Sequence, residues 1–317
     1  MFGSLFLRNK GVQRAMSFDA RNIVLNVNES NNPMSRQKDS DTSLKAENKL
    51  EKARRLQRPK PLVKALQEYY DQKCRRPSTK SLGKANQFFN SSNVKFEWSA
   101  FDAFDIPGES GRQNLEERIA SNSSEMEIPK KRSSQKHLPE VAFLGRCNSG
   151  KSTVINNLTT AFSQNKLDLH ARVSRHAGFT KGINCFNISG RLRLIDTPGY
   201  GVKSTHNQGD LTMHYLRNRR ELRRCFLLIS AEQGLQEFDF QIIEFLQTYG
   251  IPFEIAFTKL DKLRDAGTVH NYIEISGVSE LATLPQLLFL SSLDKKNVKR
   301  HGIDRLRYAI LESCGLA

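Results

Sequence analysis

The sequence predicts an α/β fold: a mostly parallel six-stranded sheet with one antiparallel strand and helices on both faces. Three observations predict it. From Leu138 onward, short apolar runs alternate with longer amphipathic stretches, the pattern of strands joined by crossover helices. Two of the runs are linked only by Ser189-Gly190-Arg191, a hairpin signal that turns one strand against the others. A third run, Val141–Leu144, leads directly into Gly145-Arg-Cys-Asn-Ser-Gly-Lys-Ser152 and then a helical pattern. That is G-x-x-x-x-G-K-[ST] in its strand–loop–helix setting.

Along the chain, the first 20 residues come first. Met1 to Phe18 contain Arg8, Lys10 and Arg14 and no acid, with Phe2, Leu5 and Phe6 able to share one helix face. This composition predicts a mitochondrial targeting segment at 1–20, destined for the matrix; a secretory signal fits less well because Arg8 and Lys10 interrupt its apolar segment. Residues 21–93 are expected as a basic, largely disordered extension, since 22–50 are rich in Asn, Ser, Asp and Lys. Within it, 44–76 has leucines spaced among basic residues, enough for a helix or two. Residues 94–317 are expected as the globular domain. Phe96, Trp98, Phe101 and Phe104 should pack a lead-in strand on its core, and 107–137 reads as a flexible insertion.

The strand candidates are Val141–Leu144, Ile183–Ile188, Leu192–Ile195, Cys225–Ile229, Phe253–Phe257 and Leu287–Leu290, with helices at 151–161, 209–222, 236–249, 270–283 and 302–314. Net charge is +16, and residues 1–137 hold 26 Lys/Arg against 16 Asp/Glu. Such a balance points to a polyanionic partner, nucleic acid or a membrane surface, with targeting signal and solvated linker as the plainer account. Cys74, Cys147, Cys185, Cys225 and Cys314 are scattered, which argues against a zinc site or a secreted disulfide framework. No apolar run reaches bilayer-spanning length, and a monomer is expected.

Four motifs carry chemistry. In Gly145, Arg146, Cys147, Asn148, Ser149, Gly150, Lys151 and Ser152, glycines let backbone N–H groups turn toward phosphate oxygens. The following helix adds its positive end. Lys151 bridges the outer phosphates, and the Ser152 hydroxyl ligates Mg²⁺. Asp196-Thr197-Pro198-Gly199 ends a strand beside that loop: Asp196 holds the metal and the Gly199 N–H meets the γ-phosphate. Gly178-Phe179-Thr180-Lys181-Gly182 precedes the hairpin and offers Thr180 as a further metal ligand. Last, Thr258-Lys259-Leu260-Asp261 follows a strand. A carboxylate there accepts guanine N1–H and the 2-amino group, a donor pair that adenine lacks, while the stem of Lys259 lies along the base. Ser291-Ser292-Leu293 offers backbone N–H groups to the guanine O6. Asp261 thus weighs against an ATPase or metabolic kinase; taken alone, it could also be a helix cap.

These strings, G-R-C-N-S-G-K-S, G-F-T-K, D-T-P-G-Y-G, F-T-K-L-D-K-L and S-S-L, resemble the EngB/YihA-type GTPases of the TrmE–Era superfamily, over roughly residues 94–315. The resemblance implies a Ras-like P-loop NTPase that binds GTP/GDP and Mg²⁺. It further implies slow GTP hydrolysis in which Lys151, Thr180 and Asn148 take part, and a role in assembly of the large ribosomal subunit. With the N-terminal segment, that becomes the mitochondrial ribosome and its RNA. Asn148 matches the residue that helps bind K⁺ in TrmE-type relatives, so K⁺ assistance is an option beside a plain loop-stabilising Asn. Cys147 departs from the usual Ser. Tyr200 stands where a water-orienting Gln would be, so hydrolysis by the isolated protein should be slow. The alternative is a nucleotide-binding scaffold that turns over little and tethers RNA by its basic arm. The basic run Arg217, Arg219, Arg220, Arg223 and Arg224 lies on a predicted helix, as an RNA contact or a solvated face.

Overall fold

The computed structural model describes residues 59–71, 76–108, 137–171, 180–201, 206–263, 265–292 and 300–317, all within one compact unit, Lys49–Ala317. Seven strands form one sheet: β1 (Val94–Ala100), β2 (Glu140–Leu144), β3 (Ile183–Ile188), β4 (Leu192–Asp196), β5 (Leu222–Ser230), β6 (Phe253–Thr258) and β7 (Leu287–Phe289). Their order is β1-β3-β4-β2-β5-β6-β7. The five strands from β4 to β7 across the sheet pair in parallel, and β3 is antiparallel to both β4 and β1. Every position of β2, β4 and β6 is buried, as expected of strands covered on both faces.

Seven α-helices are seen among the described residues: α1 (Pro59–Tyr70), α2 (Thr79–Asn90), α3 (Lys151–Thr159), α4 (His206–Asn218), α5 (Glu237–Thr248), α6 (Gly267–Ser276) and α7 (Ile303–Ser313). Two apolar clusters lie on the two faces of the sheet. One gathers Leu211, Ile242, Leu246, Val269 and Ile273 from α4, α5 and α6. The other gathers Phe89, Ile155, Leu158, Leu306 and Ile310 from α2, α3 and α7.

Three expectations need correction. The sheet has seven strands, because the aromatic lead-in at Val94–Ala100 pairs with β3 as an edge strand. Trp98 packs against the core there, but Phe96, Phe101 and Phe104 stay 59%, 65% and 66% exposed. Second, within the extension expected at 21–93, 59–70 and 79–90 are helical, the first inside the 44–76 stretch expected to hold a helix or two. Val63 and Leu66 of α1 are buried in the core, and Gln67 Nε2 donates to the Leu287 carbonyl of β7 at 3.1 Å. Ala85 and Phe89 of α2 are buried against α7. A narrow apolar stripe among Lys and Arg suffices to dock a short helix. The expectations for 1–20, 21–58 and most of 107–137 lie outside the described residues.

Third, the basic run is not a helix face. α4 ends at Asn218, and Arg223 and Arg224 lie on β5. Arg219 is buried, and its Nε and Nη2 donate to Glu140 at 2.8 and 2.6 Å. The same carboxylate accepts from Tyr215 Oη at 2.8 Å. Arg224 pairs with Glu254, and Arg217 lies over the Tyr249 ring at 4.8 Å. A buried Glu140 requires these partners, because an unpaired carboxylate there would cost several kcal/mol.

The end of α3 is fixed by two arginines. The fully buried Arg307 donates from Nε and Nη2 to the Leu158 carbonyl at 3.1 and 2.7 Å, and from Nη2 to Thr160 O at 2.8 Å. Arg300 donates to the carbonyls of Asn157, Thr160, Ala161 and Gln164. The carbonyls of Asn157, Leu158 and Thr160 are among those the helix leaves unpaired at its C-terminus, where positive charge is also favoured by the dipole, and those of Ala161 and Gln164 belong to the turn that follows. Arg307→Ala should therefore cost about 3–5 kcal/mol, from lost charged hydrogen bonds and a buried cavity. Denaturant unfolding at constant m-value checks this, and a change below about 1 kcal/mol would refute the capping role.

Candidate functional site

The motifs meet at the C-terminal ends of the parallel strands, where α/β sheets of this kind place ligands. β2 ends at Leu144 and α3 begins at Lys151, with the loop Gly145–Gly150 between them. Gly145 has φ +152°, and a Cβ there would meet Ser149 Oγ at 2.5 Å and the Leu228 carbonyl at 2.6 Å. No side chain fits, so the loop can fold back over the strand only with glycine. Asn148 adopts the left-handed region at φ +64°, which asparagine tolerates better than most residues. The Lys151 ammonium is buried and donates to the carbonyls of Gly145 at 2.7 Å and Arg146 at 3.1 Å. Burial lowers its pKa, opposed by Asp196.

Ser152 Oγ donates to Asp196 Oδ2 at 2.8 Å, joining the first turn of α3 to the end of β4. Burial pushes the Asp196 carboxyl from an ordinary 3.8 up to about 6, against the pull of Lys151 and Ser152. Asp196 Oδ1 and Ser149 Oγ are buried without a hydrogen-bond partner among the described residues. A hard oxygen pair with a spare buried carboxylate oxygen suits Mg²⁺, and Ser149 Oγ suits a phosphate-bearing ligand. Thr180 is half-buried three residues before β3, followed by Lys181 and by Gly182, where a Cβ would meet the Ala100 carbonyl at 2.4 Å. Gly178 and Phe179 lie outside the described residues.

The Asp196 titration has a testable sign. The folded protein holds this proton between about pH 4 and 6, where the unfolded chain has released it. That contribution to stability is complete below the ordinary value and is lost as pH rises through about 6. Mg²⁺ needs the ionised form, so the gain in nucleotide affinity given by Mg²⁺ should shrink as pH falls through about 6. Titrations with Mg²⁺ and with EDTA at about pH 5.5 and 7.5 test it; an equal Mg²⁺ gain at both pH values is the contrary result.

Thr197 Oγ1 donates to the Phe143 carbonyl at 2.7 Å, fixing the Asp196–Gly199 turn to β2. Gly199 presses on the phosphate loop: a Cβ there would meet Cys147 N, Cα and Sγ, each at 2.9 Å. Cys147 N donates to the Tyr200 carbonyl at 3.2 Å. Tyr200 Oη points away from the loop and donates to Asp239 Oδ1 at 2.6 Å. Burial pushes the Tyr200 phenol well above its usual range, and Asp239 adds to this.

On the other side, Thr258 Oγ1 donates to the Ser149 carbonyl at 2.7 Å. The fourth motif is thereby tied to the first across 109 residues. Lys259 takes φ +60°, and Leu260–Lys262 form one 3₁₀ turn that carries Asp261. Ser291 Oγ donates to Asp261 Oδ1 at 3.3 Å, so the two pieces expected to read the base lie together. Ser292 follows, half-buried, and Leu293 lies outside the described residues. Burial lowers the Lys259 pKa. Its ammonium lies 3.8 Å from Glu232, to which Lys262 donates at 2.9 Å.

Glu232, Gly234 and Asp239 are neighbours of the site to which the sequence motifs gave no role. Arg146 Nε lies 3.0 Å from Asp239 Oδ2, and its Nη2 donates to the Gly234 carbonyl at 2.6 Å. Asp239 also accepts from Gln236 N at 2.9 Å, capping α5. An acid three residues into a helix was a visible capping signal, but nothing local pointed to its partners.

Comparison with known proteins adds to this geometry. A family model described as "50S ribosome-binding GTPase" matches residues 140–259. MIOREX complex component 8 of Saccharomyces cerevisiae is 42% identical over 247 residues, 76% of each chain. A probable GTP-binding protein EngB of Caulobacter vibrioides is 35% identical over 184 residues, 56% of this chain and 76% of that one. Another, from Anaplasma phagocytophilum, is 34% identical over 177 residues, 53% of this chain and 89% of that one.

Proposed function

We propose, since this chain belongs to the EngB family of GTPases, that it is a Mg²⁺-dependent GTP switch acting on the large mitochondrial ribosomal subunit. The observation that carries the guanine reading is Asp261 at the end of β6, beside Ser291 and linked through Thr258 to the phosphate loop. Phosphate binding falls to the N–H groups of 145–152, with Lys151 neutralising the outer phosphates. Ser152, Asp196 and Thr180 would hold Mg²⁺, which when bound draws charge from the β- and γ-phosphates. The Gly199 N–H meets the γ-phosphate. No side chain has to act as a general base, because positioning and electrostatics carry phosphoryl transfer. Tyr200 is engaged by Asp239 and does not aim a water, which supports slow turnover by the isolated protein. Asn148, in its left-handed turn, is the residue proposed to hold K⁺ beside the phosphates.

The mitochondrial reading is supported by the acid-free, basic composition of residues 1–18 and by the likeness to the yeast MIOREX component. The ribosomal reading is supported by the description of the matching family. We take the protein as a monomer; among the described residues, no helix is long and apolar enough to cross a membrane. The test is co-sedimentation of the full chain with mitochondrial large subunits in GTP and in GDP, alongside single-turnover hydrolysis with K⁺ or Na⁺. GTP-dependent binding and subunit-stimulated turnover are expected. Equal binding in both nucleotides removes the switch, and no turnover even with subunits leaves the RNA-tethering scaffold as the better account.

A further inference from the structure

Phosphate binding in a loop of this kind uses backbone N–H groups, so the second loop residue needs no particular side chain. Here it is Arg146, a long cation, and its guanidinium runs away from the phosphate cradle into the protein, to Asp239 Oδ2 and the Gly234 carbonyl. Asp239 has no exposed surface. Its two oxygens take donors from three segments: Arg146 of the phosphate loop, Tyr200 directly after Gly199, and Gln236 N at the start of α5. The backbone repeats the connection, since Arg146 and Tyr200 form a parallel bridge and Cys147 N donates to Tyr200 O. Gly199 thus lies against Cys147, held there through Tyr200 directly after it.

We infer that Arg146, Asp239 and Tyr200 form a clasp that fixes the Gly199 peptide N–H where it can meet a γ-phosphate, so that Asp239 is a positioning residue for preference of GTP over GDP. The inference rests on the GTP-binding reading above. Its logic is differential. The base is read at 258–261 and the α- and β-phosphates at 145–152, none of which depends on the Tyr200 hydroxyl. GDP offers nothing for Gly199 to touch. A change that acts only through Gly199 must therefore weaken GTP and spare GDP, because a ligand shifts an equilibrium only by its differential contacts. A purely structural role would weaken both alike.

Tyr200→Phe removes one hydroxyl and keeps the ring, which packs partly buried against the core. Asp239→Asn keeps the shape and removes the charge that faces Arg146. Full-length wild type and both variants are titrated with GDP and with a non-hydrolysable GTP analogue, and thermal unfolding is followed in parallel. In Tyr200→Phe the analogue's Kd should rise about tenfold, the loss of one hydrogen bond to a charged group, with the GDP Kd within about twofold; Asp239→Asn, which also loosens Arg146 of the phosphate loop, should weaken the analogue more than GDP. An unchanged GTP-to-GDP ratio in Tyr200→Phe, or equal losses for both nucleotides, overturns the clasp and leaves nucleotide binding standing. If Asp239→Asn does not fold, Tyr200→Phe decides alone. Wild type that binds neither nucleotide overturns the GTP reading and the clasp together.

Discussion

Asp261→Asn should invert the base preference of this protein, lowering the ratio of GTP to xanthosine triphosphate affinity by about 10³-fold or more. A site built to hydrogen-bond one partner rejects the analogue that cannot pair by about 10⁴–10⁵. In the proposed complex the carboxylate would accept both the N1–H and the 2-amino group of guanine. A carboxamide presents one acceptor and one donor, so the 2-amino group meets an N–H instead of an oxygen. Xanthine carries an oxygen at that position and becomes the better match. The substitution keeps the side-chain shape on a single 3₁₀ turn at the end of β6, where Asp261 accepts from Ser291 Oγ at 3.3 Å. Competition of GTP, ATP and xanthosine triphosphate against a fluorescent guanine nucleotide measures it. Unaltered GTP affinity in the variant would mean that Asp261 does not face the base, and the guanine assignment would fall with it.

Lys151→Ala should weaken binding of both GTP and GDP and lower subunit-stimulated hydrolysis by about 10²–10³-fold, the usual effect of removing one charged donor from developing negative charge. The ammonium is buried at the mouth of the loop, and its protein contacts are two carbonyls of that same loop. Burial disfavours its charged form and Asp196 offsets this only in part, so an anionic ligand is what most rewards holding a cation there. Thermal stability without nucleotide should stay the same or rise slightly. A variant that unfolds at a much lower temperature would show that Lys151 serves the fold. A well-folded variant with unchanged nucleotide affinity would remove it from the phosphate site. The contrast with Tyr200→Phe is useful: Lys151→Ala strikes both nucleotides, whereas the clasp variant strikes only the one with a γ-phosphate.

Most of the site was legible because its signals are local. The eight residues from Gly145 to Ser152 take their strand–loop–helix setting from their immediate neighbours, and the structure places β2 and α3 on either side as expected. The six apolar runs became strands within a few residues of their expected ends, since fully buried parallel strands are continuous apolar segments. Helix ends were less legible. The stretch expected at 270–283 stops at Ser276, where Gly277 adopts φ +64° and its N–H bonds back to Ile273 and Glu274. A glycine in that conformation ends a helix even when the residues after it keep a helical pattern.

Charged residues were read least well, and the reason is physical. An arginine looks alike in sequence whether it faces water, RNA or a buried acid; its partner is chosen by which strands and helices the topology makes neighbours. Arg219 and Glu140 are 79 positions apart, and they meet because β2 and β5 are adjacent in the sheet. The same holds for Arg307 at the end of α3, and for Arg146, whose place in a phosphate loop suggested a nucleotide contact. Short stretches of sequence were enough to specify the strand–loop–helix of the phosphate-loop motif, the Thr258–Asp261 motif at a strand end, and a sheet to carry both, because each is written in a few consecutive residues. That α1 and α2 dock on the sheet, that β1 extends it, and that Tyr200 is tied through Asp239 to Arg146 became visible only in three dimensions. Those features are contacts between distant segments, fixed by strand order and by the cost of leaving a buried charge unpaired.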